Sequence, residues 1–413
     1  MIEMKELKAQ FKTEADSILN YWLGMIDNIH GGFYCFCDAD NNISYQNDKS
    51  VLLHSRILWT FSKAYRVFGD ERYREAAEHC FLFIRDHCID EIHGGVYWML
   101  KYDGNLIDDQ KHVYNQCFAI YALSEFFLST DNEESLNLAL DLFNIVEKFA
   151  YDSKNCGYNE AFNCSWEPIP NYLVCDTSEG VLAEKSMNTH LHILEAYTSL
   201  YKATNSLMIQ HKLLELLKII RWNIIDSSGH FGLFFSSDWK CVSKDVSYGH
   251  DIEGSWLMDE AAKELSDGDF ANEIFQFTTR MADITLSEGV DRNGAVFNEL
   301  REGYLLDTDR VWWVQAEAMV GFYNAYQKTR RHDYFQAFLA CWNIAKNQLK
   351  DTVHGEWHWK LRRNGEPYSD LPKVEPWKCP YHNGRACLEL YTRLEIDELS
   401  SYEVAPQPTL FTN

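Results

Sequence analysis

The sequence lacks several features that would place it in common classes of protein. It has only 8 prolines in 413 residues and no Pro/Gly/Ser-rich linker, so nothing divides the chain into separate domains. No apolar run is long enough to cross a bilayer, and the chain opens with MIEMKELKAQF instead of a signal peptide. We expect one cytoplasmic domain over residues 1–400, followed by a C-terminal tail, 401–413.

Basic residues are scarce. The 38 Lys and Arg face 62 Asp and Glu, which gives a formal net charge of -24. Nucleic acid binding needs concentrated Lys and Arg to displace counterions from phosphates, and the chain has no basic run. The charge also disfavours a polyanionic substrate. A neutral small molecule is the ligand class that fits best.

Metal-binding and redox motifs are missing as well. The 12 cysteines include no CxxC pair, and several lie in helical patterns where a thiol packs as a small hydrophobic group. An even number leaves disulfides open, but the chain is far longer than disulfide-dependent secreted scaffolds. No predicted helix carries an HxxxH or HExxH element that would present two ligands on one face. We expect reduced thiols and no metal.

Aromatic residues, in contrast, are abundant. They make up 15% of the chain, with 13 Trp and 23 Tyr. Core packing accounts for part of this excess. Pyranose rings, however, present apolar CH faces that stack on aromatic rings, so a sugar ligand is a second explanation.

An internal repeat is the main indication of architecture. A Gly followed by aromatic or β-branched residues recurs six times, at intervals of 61 to 75 residues: HGGFY, HGGVYW, CGYNEAF, FGLFF, NGAVF and HGEWHW, with the glycines at 32, 95, 157, 232, 294 and 355. Turn-forming residues follow each copy, which predicts a short hairpin. Two amphipathic segments come next; Val51 to Phe68, for example, has apolar residues at 3.6-residue spacing.

These patterns predict about twelve helices in six pairs. Their expected ranges are 3–23, 51–68, 71–88, 112–130, 133–150, 184–204, 206–225, 247–265, 269–288, 309–329, 333–349 and 382–396. Six helical hairpins wound into a ring form an all-α (α/α)6 barrel, with the β-hairpins at one rim. An open helical solenoid is the alternative, but it would need polar capping repeats.

Polar residues recur at the start of each inner helix, where the repeat brings six hairpins and six helix ends together. Ligand sites are expected where several element ends meet. The candidates are His54, Ser55 and Arg56; His112, Tyr114 and Asn115; Asn188, His190 and His192; Tyr248, His250, Asp251 and Glu253; Arg310, Trp312, Trp313 and Glu317; and Trp377, His382, Asn383 and Arg385. Any one of them alone could be a cap, an ion pair or core filling. A single pocket explains all of them together.

Three kinds of chemistry compete for this collection. A metal site could use His192, His250, His382 and Glu253, although His190 and His192 lie about 200° apart on a helix and cannot both face the pocket. A glycoside hydrolase needs two carboxylates, for which Glu253 and Glu317 qualify. The set is nevertheless richer in His, which moves a carbon-bound proton near neutral pH, while an Arg stabilises the enediolate.

At these residues the sequence resembles the N-acylglucosamine 2-epimerase superfamily. The segments are HSRILW, KHVYNQCFAIYALS, KSMNTHLHILEAYT, SYGHDIE, DTDRVWWVQAEA and PWKCPYHNGR, and they are most similar to those of its cellobiose 2-epimerases. The resemblance covers roughly residues 5 to 395. It implies reversible epimerisation at C2 of the reducing-end sugar of β-1,4-linked disaccharides, without a metal, nucleotide or redox cofactor. We expect a monomer that binds a disaccharide and, from the charge and the lack of a long apolar run, neither nucleic acid nor a membrane.

The resemblance also implies roles for ten residues. His250 and His382 match an acid/base pair at C2, His192 matches a third His that assists ring opening, and Glu253 lies where it can orient His250. The remaining residues match those that hold the open-chain sugar (Arg56, Tyr114 and Asn188) or position its rings (Trp312, Trp313 and Trp377). Two alternatives remain. One is an aldose–ketose isomerase or monosaccharide epimerase of the same superfamily, and the other is a barrel that binds sugar without catalysis.

Overall fold

The structure is a computed structural model that describes residues 4–173, 182–265, 268–301 and 304–403. Twelve α-helices occupy these residues: α1 (Met4–Leu23), α2 (Val51–Phe68), α3 (Glu71–Phe83), α4 (Val113–Thr130), α5 (Glu133–Phe149), α6 (Met187–Thr204), α7 (Leu207–Ile219), α8 (Tyr248–Lys263), α9 (Gly268–Ile284), α10 (Trp312–Thr329), α11 (His332–Ile344) and α12 (Tyr381–Glu403). The predicted number of helices and their order along the chain are confirmed.

The even-numbered helices form an inner ring. Each packs against the next, from α2 through α4, α6, α8 and α10 to α12, and α12 packs back on α2. The odd-numbered helices cover this ring from outside, and the first helix of the chain, α1, packs against the last, α12. The architecture is therefore the closed (α/α)6 barrel, and the open solenoid was the wrong alternative.

The outer helices end differently from the prediction. Helices α3, α7, α9 and α11 each give way to five residues of π-helix, at Ile84–Cys88, Ile220–Ile224, Thr285–Gly289 and Ala345–Leu349. The sequence pattern remains apolar through these turns, so periodicity alone did not separate them from the α-helices. Helix α12 runs to Glu403, and residues 404–413 of the predicted tail lie outside the described residues.

Short strands connect the repeats at one rim. They are β1 (Lys49–Ser50), β2 (Met99–Leu100), β3 (Leu106–Asp108), β4 (Lys111–His112), β5 (Ala161–Phe162), β6 (Lys185–Ser186), β7 (Phe234–Phe235), β8 (Asp245–Ser247), β9 (Glu299–Arg301), β10 (Tyr304–Asp307), β11 (Arg310–Val311) and β12 (Lys360–Leu361). All pairs are antiparallel: β1 with β2 and β2 with β3, β4 with β5, β6 with β7, β8 with β9 and β9 with β10, and β11 with β12.

The predicted hairpins are present, as β2–β3, as β9–β10 and as single bridges such as Phe162 to Pro168. The sequence did not predict their second pairing. The strand before each inner helix pairs with the hairpin of the next repeat, and the segment before α12 returns to the first repeat through a bridge from Val374 to Cys37. The rim is thus closed by main-chain hydrogen bonds as well as by helix packing.

A second repeated contact ties each hairpin loop to its inner helix. In five repeats a side chain on the first turns of the inner helix accepts a hydrogen bond from a backbone N–H of the loop. In the sixth repeat the acceptor is Glu356, which lies in the loop itself and accepts a second hydrogen bond from Asn383 of the inner helix. The donor and acceptor pairs are Phe33 and His54, Val96 and Gln116, Tyr158 and His190, Phe231 and Asp251, Val296 and Gln315, and Trp357 and Glu356. His54, His190 and Asp251 are therefore structural residues.

A buried ion pair stabilises the same loops in five repeats. In each of these loops the Oδ1 atom of the first Asp accepts two backbone N–H groups of the loop. The Oδ2 atom of the same Asp pairs with a Lys or Arg that precedes the inner helix. The pairs are Asp27–Lys49, Asp90–Lys111, Asp152–Lys185, Asp291–Arg310 and Asp351–Lys373. In the fourth repeat Val246 stands at the position of the cation. The contact found there is a hydrogen bond between His230 Nδ1 and Asp251 Oδ2, 2.7 Å long.

The apolar face of every inner helix is buried, and the eleven cysteines within the described residues are free thiols. Cys175 lies outside the described residues. Over the described ranges no helix has both the length and the apolar character needed to span a bilayer.

The ion pairs generate a stability prediction. Lys111 Nζ lies 2.8 Å from Asp90 Oδ2, and both side chains are buried. Lys111→Met leaves Asp90 buried without its cation, so we expect the free energy of unfolding to fall by about 3–5 kcal/mol, measured by urea denaturation. The double variant Lys111→Met/Asp90→Asn should recover part of that loss. Arg74→Met, which breaks pairs on the surface of α3, should cost less than about 1 kcal/mol. Equal losses for the two single variants would contradict the prediction.

Candidate active site

All ten residues predicted for the site line one cavity of about 330 Å³ at the hairpin rim of the barrel. This volume lies in the usual range for small-molecule pockets, roughly 300–1,000 Å³. The residues come from all six repeats: Arg56, Tyr114, Asn188, His192, His250, Glu253, Trp312, Trp313, Trp377 and His382. The prediction that the six helix starts share a pocket is confirmed.

The other rim candidates lie outside the cavity lining. His54 and His190 bind the hairpin loops, as described above, and His112 bonds to Asn171 at 3.1 Å. His190 is fully buried rather than solvent-facing, and only His192 of that pair reaches the cavity. Sequence reasoning did not single out six further lining residues, which come from the hairpins and the strands beside them: Asn298, Glu299, Asp307, Val311, Trp359 and Lys360.

Beneath the cavity a single cation joins three carboxylates. Arg385, on α12, donates to Glu195 of α6, to Glu253 of α8 at 2.6 Å and to Glu317 of α10 at 2.8 Å. All four side chains are buried. This buried cluster therefore links four of the six inner helices.

Two of the three cavity histidines form hydrogen bonds to carboxylates of this cluster. His192 Nδ1 lies 3.0 Å from Glu195 Oε2, and His382 Nδ1 lies 2.7 Å from Glu317 Oε1. Each carboxylate accepts the Nδ1 proton, which leaves the Nε2 lone pair free. Neither Nε2 has a hydrogen bond to the described part of the chain. Both imidazoles are thus oriented to act as bases.

The third imidazole is held differently. His250 Nδ1 lies 2.8 Å from Ser247 Oγ. Glu253, one helical turn after His250, bonds to Arg385 instead. The expectation that Glu253 orients His250 is therefore wrong: the Glu253 carboxyl group bonds to the buried Arg385 guanidinium, and the Ser247 hydroxyl is the partner of the imidazole.

Burial governs the protonation of these groups. It lowers the pKa of His250 to about 3 and lowers the pKa of His192 and His382, so all three rings are neutral at neutral pH. Burial would raise the pKa of Glu195, but Arg385 and the hydrogen bond from His192 outweigh it and lower the pKa to about 2. Burial and the nearby charge of Glu317 raise the pKa of Glu253 above its ordinary value of 4.5.

Arg56 is a buried cation in the lining of the cavity. Its guanidinium donates to Tyr114 OH at 2.7 Å and to the Trp377 carbonyl at 3.1 Å, and it stacks on Phe118 at 4.3 Å. It is buried, lines the cavity and forms no ion pair with a described carboxylate. A buried cation without a counterion favours a ligand that carries or develops negative charge.

Tryptophans form the walls of the cavity. Trp313 contacts both His250 and His382, with ring centroids 4.7 and 5.6 Å away. Gly249 makes this position possible, because a Cβ there would lie 2.5 Å from Trp313 Cη2. Two polar atoms nearby, Asn188 Oδ1 and Trp312 Nε1, are buried without a partner among the described residues. Apolar walls with a few unpaired polar atoms suit a sugar.

Within the described ranges one group of side chains could hold a metal ion: ligand atoms of Glu253, Glu317 and His382 lie within 4.8 Å of one another. Arg385 already donates to both carboxylates, and the His382 nitrogen nearest to them is bonded to Glu317. A divalent ion would have to displace this guanidinium. The donor set therefore fits an internal cation better than a metal.

The same distances bear on hydrolysis. A retaining glycosidase separates its two carboxyl groups by about 5–5.5 Å and an inverting one by about 6.5–9.5 Å, with the glycosidic bond between them. Of these two acids only Glu253 lines the cavity, and both pair with the Arg385 guanidinium, so they are not placed as two separate carboxyl groups on either side of a bound glycoside.

Comparison with known proteins agrees with the geometry. The sequence model of N-acylglucosamine 2-epimerase matches residues 31–384. The chain belongs to the N-acylglucosamine 2-epimerase family. It is 41% identical to the cellobiose 2-epimerase of Bacteroides fragilis over 389 residues, which cover 93% of this chain and 98% of that protein. It is 38% identical to the cellobiose 2-epimerase of Dictyoglomus turgidum over 396 residues, 95% of this chain and all of the relative.

A solved structure extends the family assignment to the fold. Cellobiose 2-epimerase from Bacillus thermoamylovorans B4167 superposes with a TM-score of 0.91 at 37% identity, covering 94% of this chain and 100% of that one. The chain is therefore a carbohydrate epimerase, an enzyme of the isomerase class.

The raised pKa of Glu253 predicts a pH-dependent stability. Because the native state keeps this proton above pH 4.5 while the unfolded state loses it, the contribution of Glu253 to stability falls as pH rises. Glu253→Gln removes the titration. We expect the stability of the variant relative to wild type to increase from pH 5 to pH 8, by up to about 1.4 kcal/mol per pH unit, in urea denaturation.

The control for this measurement is Glu75→Gln, which changes an exposed carboxylate on α3. Its stability relative to wild type should stay nearly constant over the same range. A constant difference for Glu253→Gln as well would show that the native carboxyl titrates normally.

Proposed function

We propose that this enzyme catalyses reversible epimerisation at C2 of the reducing-end sugar of β-1,4-linked disaccharides, converting cellobiose to glucosyl-mannose and lactose to epilactose. The observation that carries the proposal is Arg56, a buried cation without a carboxylate partner among the described residues, in the same cavity as three imidazoles. Negative charge that develops on the O1 and O2 end of an open-chain sugar supplies the missing counterion.

The neutral imidazoles fit the proton transfers. His192, polarised by Glu195, assists opening of the pyranose ring by handling a proton on oxygen. His250 or His382 then takes the C2 proton on Nε2 and becomes a cation. Arg56 and Tyr114 stabilise the resulting enediolate. The other imidazole of the pair takes a proton from solvent on its Nε2 and gives it to the opposite face of C2, while the first imidazole releases the proton it removed to solvent. Burial lowers the proton affinity of both rings, so each gives its proton up readily once charged.

The cavity walls account for the rest of the ligand. Trp313 contacts both C2 imidazoles, so a sugar ring against it lies beside them. Asn188 accepts a sugar hydroxyl on its unpaired Oδ1, and Trp312 and Trp377 hold the rings. The second sugar extends towards the hairpin residues at the mouth of the cavity. We further propose that the protein acts as a cytoplasmic monomer and needs no cofactor.

Proton NMR of the EDTA-treated protein with cellobiose in D2O tests the proposal. We expect a mannose-type reducing end to appear with deuterium at C2, because the proton is removed by an imidazole and solvent supplies its replacement. A ketose product would indicate an aldose–ketose isomerase, and released glucose a hydrolase. No change in cellobiose, lactose or free hexoses would refute the proposal, and activity restored only by added metal would refute its metal-free form.

Variants at the two C2 imidazoles complete the experiment. His250→Ala and His382→Ala should each lower kcat by at least about 10²–10⁴, the usual contribution of general acid–base catalysis, while the helical circular dichroism spectrum stays the same. His332→Ala, which changes an exposed ring on α11, serves as the matched control and should leave kcat unchanged. Near-normal turnover in either cavity variant would remove that residue from the mechanism.

A further inference from the structure

The three cavity imidazoles differ in what holds their Nδ1 atoms. Carboxylates bind His192 and His382, whereas a hydroxyl, Ser247 Oγ, binds His250. A carboxylate only accepts, so it keeps the Nδ1 proton in place; a hydroxyl both donates and accepts. His250 is therefore the only one of the three whose partner permits both neutral tautomers.

Ser247 also gives up a structural role to make this contact. It stands at the N-cap of α8, where Ser50 and Ser186 stand on α2 and α6. Those two serines accept a backbone N–H of their helices, from Leu53 and Thr189, as N-cap serines normally do. Ser247 forms no such cap bond. Its hydroxyl is bonded to the His250 imidazole instead of to a backbone N–H of α8.

We propose that Ser247 is the positioning residue for His250: its hydroxyl directs Nε2 to the substrate and allows the ring to carry its proton on either nitrogen. The inference rests on the proposed epimerase function. Ser247 does not line the cavity, so it acts through His250 and not on the sugar. The other titratable groups that act on His250 are His192 from α6 and Glu317 from α10, and neither bonds to its ring.

The proton balance follows from the two kinds of hydrogen bond. While Nδ1–H donates to Ser247, Nε2 has a lone pair and takes the C2 proton; the C–H bond breaks, an N–H bond forms and the ring becomes a cation. When the ring returns that proton, the reverse occurs. In the other neutral tautomer Ser247 donates to Nδ1, and Nε2–H donates to a sugar oxygen during ring opening. No proton leaves Ser247 in either case.

The test compares Ser247→Ala with Ser247→Thr and with Ser50→Ala. Loss of the hydroxyl should lower kcat about 10–100-fold, the loss typical when the hydrogen-bond partner that orients a metal-ligating His is removed, with little change in KM. Threonine keeps the hydroxyl and should restore most of the rate. Ser50→Ala removes the equivalent hydroxyl from α2 and should lower thermal stability without slowing the reaction. Ser247→Ala at the wild-type rate would overturn the inference, while the wild-type activity itself tests the epimerase function separately.

If both Ser247→Ala and Ser247→Thr are inactive, nitrogen NMR of the His250 imidazole distinguishes a positioning role from an effect on the fold. The ring signals of His250, assigned by their loss in His250→Gln, report where the proton lies. Ser247→Ala should shift both ring nitrogens, since Nδ1 loses its hydrogen bond, and leave those of His382 in place. Unchanged His250 signals in a slow variant would show that Ser247 acts on the fold and would contradict the proposal.

Discussion

The site depends on one buried guanidinium. Arg385 reaches from α12 to carboxylates on α6, α8 and α10, and two of the three cavity imidazoles are bonded to those carboxylates. Three buried acids could not share this space without a cation, since unpaired buried charge is strongly unfavourable. A flat guanidinium with donors on two terminal nitrogens serves all three, because Nη1 bonds to Glu195 and Nη2 bonds to Glu253 and Glu317. The same group thus links four of the six inner helices and, through Glu195 and Glu317, orients His192 and His382 in the cavity.

The repeat explains how the barrel can carry such a centre. Main-chain pairing between neighbouring hairpins, loop clamps such as Gln116 with Val96 and ion pairs such as Asp90 with Lys111 close the rim independently of the cavity. The fourth repeat departs from this pattern. It has Val246 in place of the cation, and its N-cap serine serves His250 instead of its helix. The departure lies beside His250, the imidazole for which we infer that both neutral tautomers are accessible. Departures from a repeated sequence pattern are expected at functional sites.

Much of this could be read from the sequence, because the signals were periodic. Six Gly-aromatic segments and the 3.6-residue patterns predicted the barrel, and the polar residues at the inner helix starts predicted the cavity. The missing parts depend on tertiary contacts. Glu195 lies three residues after His192, a spacing that could have indicated their bond, but nothing local shows that Arg385 meets it from 190 positions away. Glu253 was assigned to His250 by helical spacing, and the stronger field of Arg385 decided otherwise.

A crystal structure with the open-chain alditol of cellobiose would test the account most directly, because this ligand resembles the opened substrate and cannot react. We expect C2 to lie about 3–3.5 Å from Nε2 of both His250 and His382, on opposite faces, with O1 and O2 at Arg56 and Arg385 still bonded to its three carboxylates. A bound alditol whose C2 is remote from either imidazole, or whose reducing end lies away from Arg56, would contradict it.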